Sequence, residues 1–82
     1  MPKLTLKYFD RLHEKRLQTS AQYEAGYLVA QQFRGHFERM PLEGLVSARC
    51  AYMAEKSEYH AAFARVLMEI IRARIGEKET AA

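Results

Sequence analysis

The chain has one cysteine, Cys50, so it cannot close a disulfide within itself. A lone thiol suits a reducing cytoplasm better than the disulfide-stapled scaffolds of small secreted domains, and Cys50 is expected to be a small buried apolar residue. Proline and glycine are scarce as well: Pro2, Pro41, Gly26, Gly35, Gly44 and Gly76 are the whole set in 82 residues. Few positions therefore force the backbone to turn. No stretch alternates β-branched with polar residues for the length of a strand, which argues against a sheet. Long apolar runs are missing too. The longest stretch without charge, Ala25 to Phe33, falls far below the roughly 20 residues needed to span a bilayer. Met1 to Asp10 also lacks the apolar core of a signal peptide. A protein that stays in the cytoplasm, with no membrane contact, is expected.

What the chain does contain is the balance of a folded domain, 49% hydrophobic and 28% charged. Its net charge of +3 lies in the first half, where residues 1–40 carry seven cations and four anions; residues 41–82 carry six of each. That basicity is mild beside the dense basic stripe of most nucleic-acid modules. A chain this short buries little surplus apolar area, so a second copy is expected to complete its core. Residues 1–76 are expected as a single helical domain and 77–82 as a flexible C-terminal tail.

Ala, Leu, Glu, Lys, Arg, Gln and Met dominate, and these lose little freedom in a helix. A first helix is predicted over about Lys3 to Leu17, with Leu4, Tyr8, Phe9 and Leu12 as its apolar patch and Lys7, Arg11 and Lys15 on a separate stripe. Thr19 with Gln22 has the spacing of a capping box, which predicts a second helix starting near Ser20; nothing there forbids a continuous helix. Tyr23, Gly26, Ala30, Phe33, Phe37 and Met40 then follow at steps of three and four, forming one seam. Gly26 and Ala30 on that seam form a notch that lets another helix approach closely. Met40-Pro41 ends the segment, with Pro41 suited to open the next helix. A further seam runs through Leu45, Ala48, Tyr52, Glu55, Tyr59, Ala62, Val66, Glu69 and Ala73, flanked by Phe63, Leu67, Ile70 and Ile71. It predicts one long helix from Leu42 to Ile75, the alternative being a break at which Ser57 caps a new start. Gly76 reads as its stop.

The fold class that follows is all-α: a helical hairpin or three-helix domain with a long C-terminal helix, completing a helical bundle by dimerisation.

Chemistry finds no foothold. His13, His36, His60 and Cys50 show no ligand pair at i, i+3 or i+4, and no HExxH or CxxC occurs. There is no nucleophile elbow and no glycine-rich phosphate loop. No catalytic, cofactor-binding or metal-ligating residue is assigned, and an enzyme is not expected. Arg34 with Glu38, Arg65 with Glu69 and Glu69 with Arg72 are spaced as surface pairs worth about 0.2–0.5 kcal/mol each.

Binding remains. Tyr8, Tyr23, Tyr27, Tyr52 and Tyr59 are many for a core this small, and tyrosine is what interfaces favour, so these five are the candidate partner-binding residues. Met40, Met53 and Met68 fill a core or form an adaptable surface. Lys7, Arg11, Lys15 and Arg16 are the candidate nucleic-acid contacts, although Asp10 and Glu14 interrupt the patch.

Tyr27-x-x-Ala30-x-x-Phe33, then Arg39-x-Pro41-Leu42 and Arg49-x-x-Tyr52, resemble the small helical negative regulators of AraC-type activators of enteric pathogens and their phages. The resemblance covers roughly a third of the chain, and Phe33 and Val46 stand where that family's pattern has tryptophan, so its activity is not carried over. The function expected from the residues is a small protein-binding regulator or inhibitor of phage, plasmid or bacterial type that occupies a surface of a larger partner. The alternative is a nucleic-acid-binding or transcription-regulatory dimer that uses the basic N-terminal helix.

Overall fold

The computed structural model describes residues 6–76, so Lys3 and Leu4 at the predicted helix start and the expected tail 77–82 lie outside the described residues. Five helices follow one another: α1 (Leu6–Thr19), α2 (Ala21–Gln32), α3 (Arg34–Glu38), α4 (Leu42–Ala54) and α5 (Glu58–Ile75). No helix among them is long and apolar enough to cross a membrane.

The boundaries follow from local chemistry. Ser20, rather than Thr19, caps α2: its Oγ accepts from the Tyr23 N–H at 3.2 Å, while the Thr19 hydroxyl donates back to the Lys15 carbonyl at 2.9 Å. The segment predicted as one helix from Tyr23 to Met40 breaks at Phe33, whose N–H donates to the Ala30 carbonyl in a tightened turn. Phe33 is 50% exposed, so this member of the seam faces water; Tyr23, Gly26, Ala30 and Phe37 are buried. Pro41 then sits at the N-cap of α4, its carbonyl accepting from Leu45 N–H at 3.0 Å. The long C-terminal helix is also broken. Lys56 adopts a left-handed conformation with φ 54°, and Ser57 caps α5 by accepting from Tyr59 N–H at 3.2 Å. Glu55, on the predicted seam, is exposed at this corner, as is Ala73 farther on. Gly76 ends α5 with φ 85°, as its position predicts.

The core is Ala30, Phe37, Leu45, Phe63, Val66, Leu67 and Ile70. It is built by α2 to α5, with α5 as the central element packed between α2 and α4. Gly26 lets α2 meet α5 closely, for a Cβ there would stand 3.0 Å from Tyr59 Cα and closer still to the Tyr59 carbonyl oxygen. Arg74, near the end of α5, donates to the carbonyls of Glu38 and Met40, which would otherwise be orphaned where α3 stops. The seams expected to await a second copy are thus largely buried within one chain.

Candidate functional site

Helix α1 differs from the rest. It packs chiefly on α2, and none of its described side chains joins the core cluster. Among its described side chains, His13 is the one buried; it shares a hydrogen bond of 2.7 Å with the Tyr23 hydroxyl and lies 4.7 Å, centroid to centroid, from the Tyr27 ring. Burial, and then the Arg65 charge, hold the His13 pKa below its ordinary value, and burial pushes Tyr23 up to about 12.

Polar bridges fasten α1 to α5. Asp10 Oδ1 accepts from Arg72 at 3.0 Å and from Arg65 at 2.9 Å, and these bonds, Arg72 first, keep its carboxyl below the usual range. Arg16 reaches Glu58 with two donors at 2.7 and 3.0 Å, and its guanidinium lies 4.6 Å from the Tyr23 ring centroid. Beside them Glu69 accepts from Arg65 at 2.9 Å, from the Tyr27 hydroxyl at 2.8 Å and from Arg34. Burial alone would raise the Glu69 pKa; the three donors outweigh it and leave it lowered. Arg34 therefore spans to Glu69 on another helix, where a neighbouring Glu38 was expected, and Arg72 reaches Asp10.

Because α1 is held by these bridges rather than by apolar packing, a cleft of about 420 Å³ stays open between it and α4, over α5. Phe9 and Leu12 line it from α1, Met53 from α4, and Ala61, Ala64 and Met68 from α5; Arg16, Arg49, Lys56, Glu58 and Arg65 supply its charges. Phe9, Leu12 and Met53 are exposed, Met53 at 54%. Of the apolar patch predicted on α1, Phe9 and Leu12 thus form a cleft wall and not a core face. Leu12 also borders a separate shallow depression shared with Tyr8, Arg11 and Lys15, so these two members of the basic stripe adjoin the cleft without lining it.

No family model, curated protein or solved structure matches this chain. The cleft must be interpreted from its own residues.

Of the tyrosines, Tyr23 is buried and bonded to His13, Tyr27 is bonded to Glu69, and Tyr52 and Tyr59 pack on Phe63 with ring centroids 5.2 and 5.4 Å away. Tyr8 alone of the five is exposed, edge-on to Phe9. The structure therefore does not bring the five together on one surface. Lys7, Arg11 and Lys15 are exposed, whereas Arg16 is engaged by Glu58. Cys50, expected to be buried, is exposed. Among the described residues no group of three or more His, Cys, Asp or Glu side chains could hold a metal ion. Sequence reasoning missed the meeting of Phe9, Leu12 and Met53 in one cleft, since they lie on two helices and share no local pattern. A signal did exist in α1, where His13 and Arg16 continue the stripe begun by Phe9 and Leu12, a mixed face poorly suited to a core.

Proposed function

We propose that this chain is a protein-binding regulator or inhibitor that acts by occupying a surface of a larger partner, and that the partner is held in the cleft between α1 and α4. The observation that supports this reading is the grouping of exposed Phe9, Leu12 and Met53 in one concave place. Contiguous apolar surface that a folded chain leaves open is what partners cover, and a methionine beside an aromatic ring makes an adaptable wall. The role is binding without catalysis. The motive for homodimerisation through the two seams weakens, since one chain already buries Tyr23, Gly26, Ala30, Phe37, Leu45, Ala62 and Val66.

A photo-crosslinking residue at Met53, used in the source cell, tests the reading. A protein adduct that survives nuclease is expected, and Met53→Asp or Leu12→Asp should weaken the same association by about 2 kcal/mol, roughly thirtyfold, if these are anchor positions. An adduct made only of nucleic acid, or none at all, would refute it.

The second reading, nucleic-acid binding, is favoured by one feature: Lys7, Arg11 and Lys15 are all exposed on α1 and make no ion pair among the described residues. Changing all three to Glu should then abolish binding and flatten its salt dependence by roughly 0.9 for each lost phosphate contact on duplex DNA.

A further inference from the structure

Among the described residues that line the cleft, four are cationic, Arg16, Arg49, Lys56 and Arg65, against one acid, Glu58. On the α4 side stand Arg49 and Lys56, neither of which makes an ion pair among the described residues, while Arg11 and Lys15 border only the adjoining depression that shares Leu12. The acid in the lining, Glu58, is already engaged by Arg16. An apolar floor beside a rim of unengaged cations selects its occupant by charge as well as by shape. We infer that the occupant of the cleft is an acidic amphipathic helix of the partner protein, its apolar residues at helical spacing seated against Phe9, Leu12 and Met53 and its Asp and Glu side chains directed to Arg49 and Lys56 on the α4 rim. This inference rests on the proposed reading of the cleft as a protein-binding site.

Three considerations lead to a helix of this kind. Among the described residues there is no strand, so an extended peptide finds no sheet edge to join, and an apolar groove between helices is the setting in which an amphipathic helix lays down its apolar face. A second copy of this chain is a poor fit, since it brings a net charge of +3 to an already basic cleft. Duplex nucleic acid matches the rim but leaves the apolar side chains of Leu12 and Met53 without a partner.

The test uses the full chain and a displayed library of random peptides roughly 15 residues long, about four helical turns. Selected peptides are expected to carry excess Asp and Glu around apolar residues at three- and four-residue steps, to gain helicity on binding, and to bind more weakly as salt rises. The double variant Arg49→Glu/Lys56→Glu should lose at least about tenfold in affinity for them, judged by fluorescence anisotropy. Arg39→Glu changes an exposed cation on α3's C-terminal side and should lose far less, which separates rim contacts from net charge. Circular dichroism of each variant checks that the fold is retained. A selection that yields no binder, peptides without an acidic excess, affinity indifferent to the double reversal, or displacement of the peptide by single-stranded oligonucleotide at equal affinity would each overturn the inference. If the Met53 crosslink still captures protein while the selected peptides are neutral or basic, only the acidic helix is wrong; if Met53 captures no protein, the reading of the cleft itself fails.

Discussion

At Gly26 the backbone of Tyr59 fills the space a side chain would take. Alanine would normally help a helix by about 1 kcal/mol over glycine, but here its methyl must displace main chain, and overpacking of this kind costs about 1–3 kcal/mol. Gly26→Ala is therefore expected to destabilise the protein, with a lower urea midpoint at an unchanged slope; a higher midpoint would contradict the close approach of α2 and α5. Lys56 presents the opposite case. It holds a left-handed conformation that costs an L-residue about 1–2 kcal/mol, while glycine brings only its unfolded-state entropy of about 0.5–1 kcal/mol. Lys56→Gly should raise stability by about 0.5–1 kcal/mol in the same titration. Gly26 was legible in the sequence because a small residue interrupts an otherwise bulky seam. Lys56 was not, since lysine is an ordinary helix former and only the corner between α4 and α5 forces its φ positive.

Among the elements, α1 stands apart because ion pairs and one buried histidine, rather than core apolar contacts, fasten it. Segments with few buried apolar contacts open locally at lower free energy than the core. Native-state hydrogen exchange should accordingly find α1 amides exchanging faster than those of α5, whose Ala62, Phe63, Val66 and Leu67 are buried. Asp10 joins α1 to both Arg65 and Arg72, and its removal takes one acceptor from each of those two largely buried guanidinium groups. With Asp10 itself partly exposed, Asp10→Ala is expected to cost about 1 kcal/mol, speeding α1 exchange roughly fivefold while α5 amides change less. Equal acceleration in both helices would mean that α1 opens only with global unfolding. Gly76 announces its stop by residue type, and Ser57 offered a cap only as the alternative to one continuous helix, whereas the turn at Phe33 carries no glycine or proline to mark it.

For the molecule as a whole, the same polar bridges impose a pH dependence. His13 has its folded pKa lowered below 6.5 by burial, so the unfolded chain takes up the proton first and stability falls as pH drops below about 6.5 toward the folded value. Asp10 and Glu69 are also lowered, from 3.8 and 4.5, so the stability they supply is present above those values and is lost as pH falls farther. Thermal melts are expected to show a plateau above about pH 7, a first decline below it, and a steeper one near pH 4. His13→Gln should remove the first decline and keep the second; a first decline that survives the substitution would assign it to another group. Sedimentation at micromolar concentration is expected to give the mass of one chain, because most of the seam that seemed to require a partner copy is covered internally. Twice that mass would show that an exposed apolar position such as Leu28 or Phe33 is an interface.

The helical class, the seams and the notch at Gly26 were determined by the sequence itself, because periodicity, caps and breakers act over a few residues and need no knowledge of what lies opposite. Which apolar residues stay in water was decided only in three dimensions. Phe9 and Leu12 have the spacing of a core face, yet they line an open cleft because Asp10 and Arg16 of the same helix bind partners on α5 and hold α1 there. Those partners lie 42 and 62 residues along the chain. No local pattern encodes such a distance, and with it goes the joining of α1 and α4 around Phe9, Leu12 and Met53. Burial depends on the neighbour a side chain meets, and only the packing of the helices supplies that neighbour.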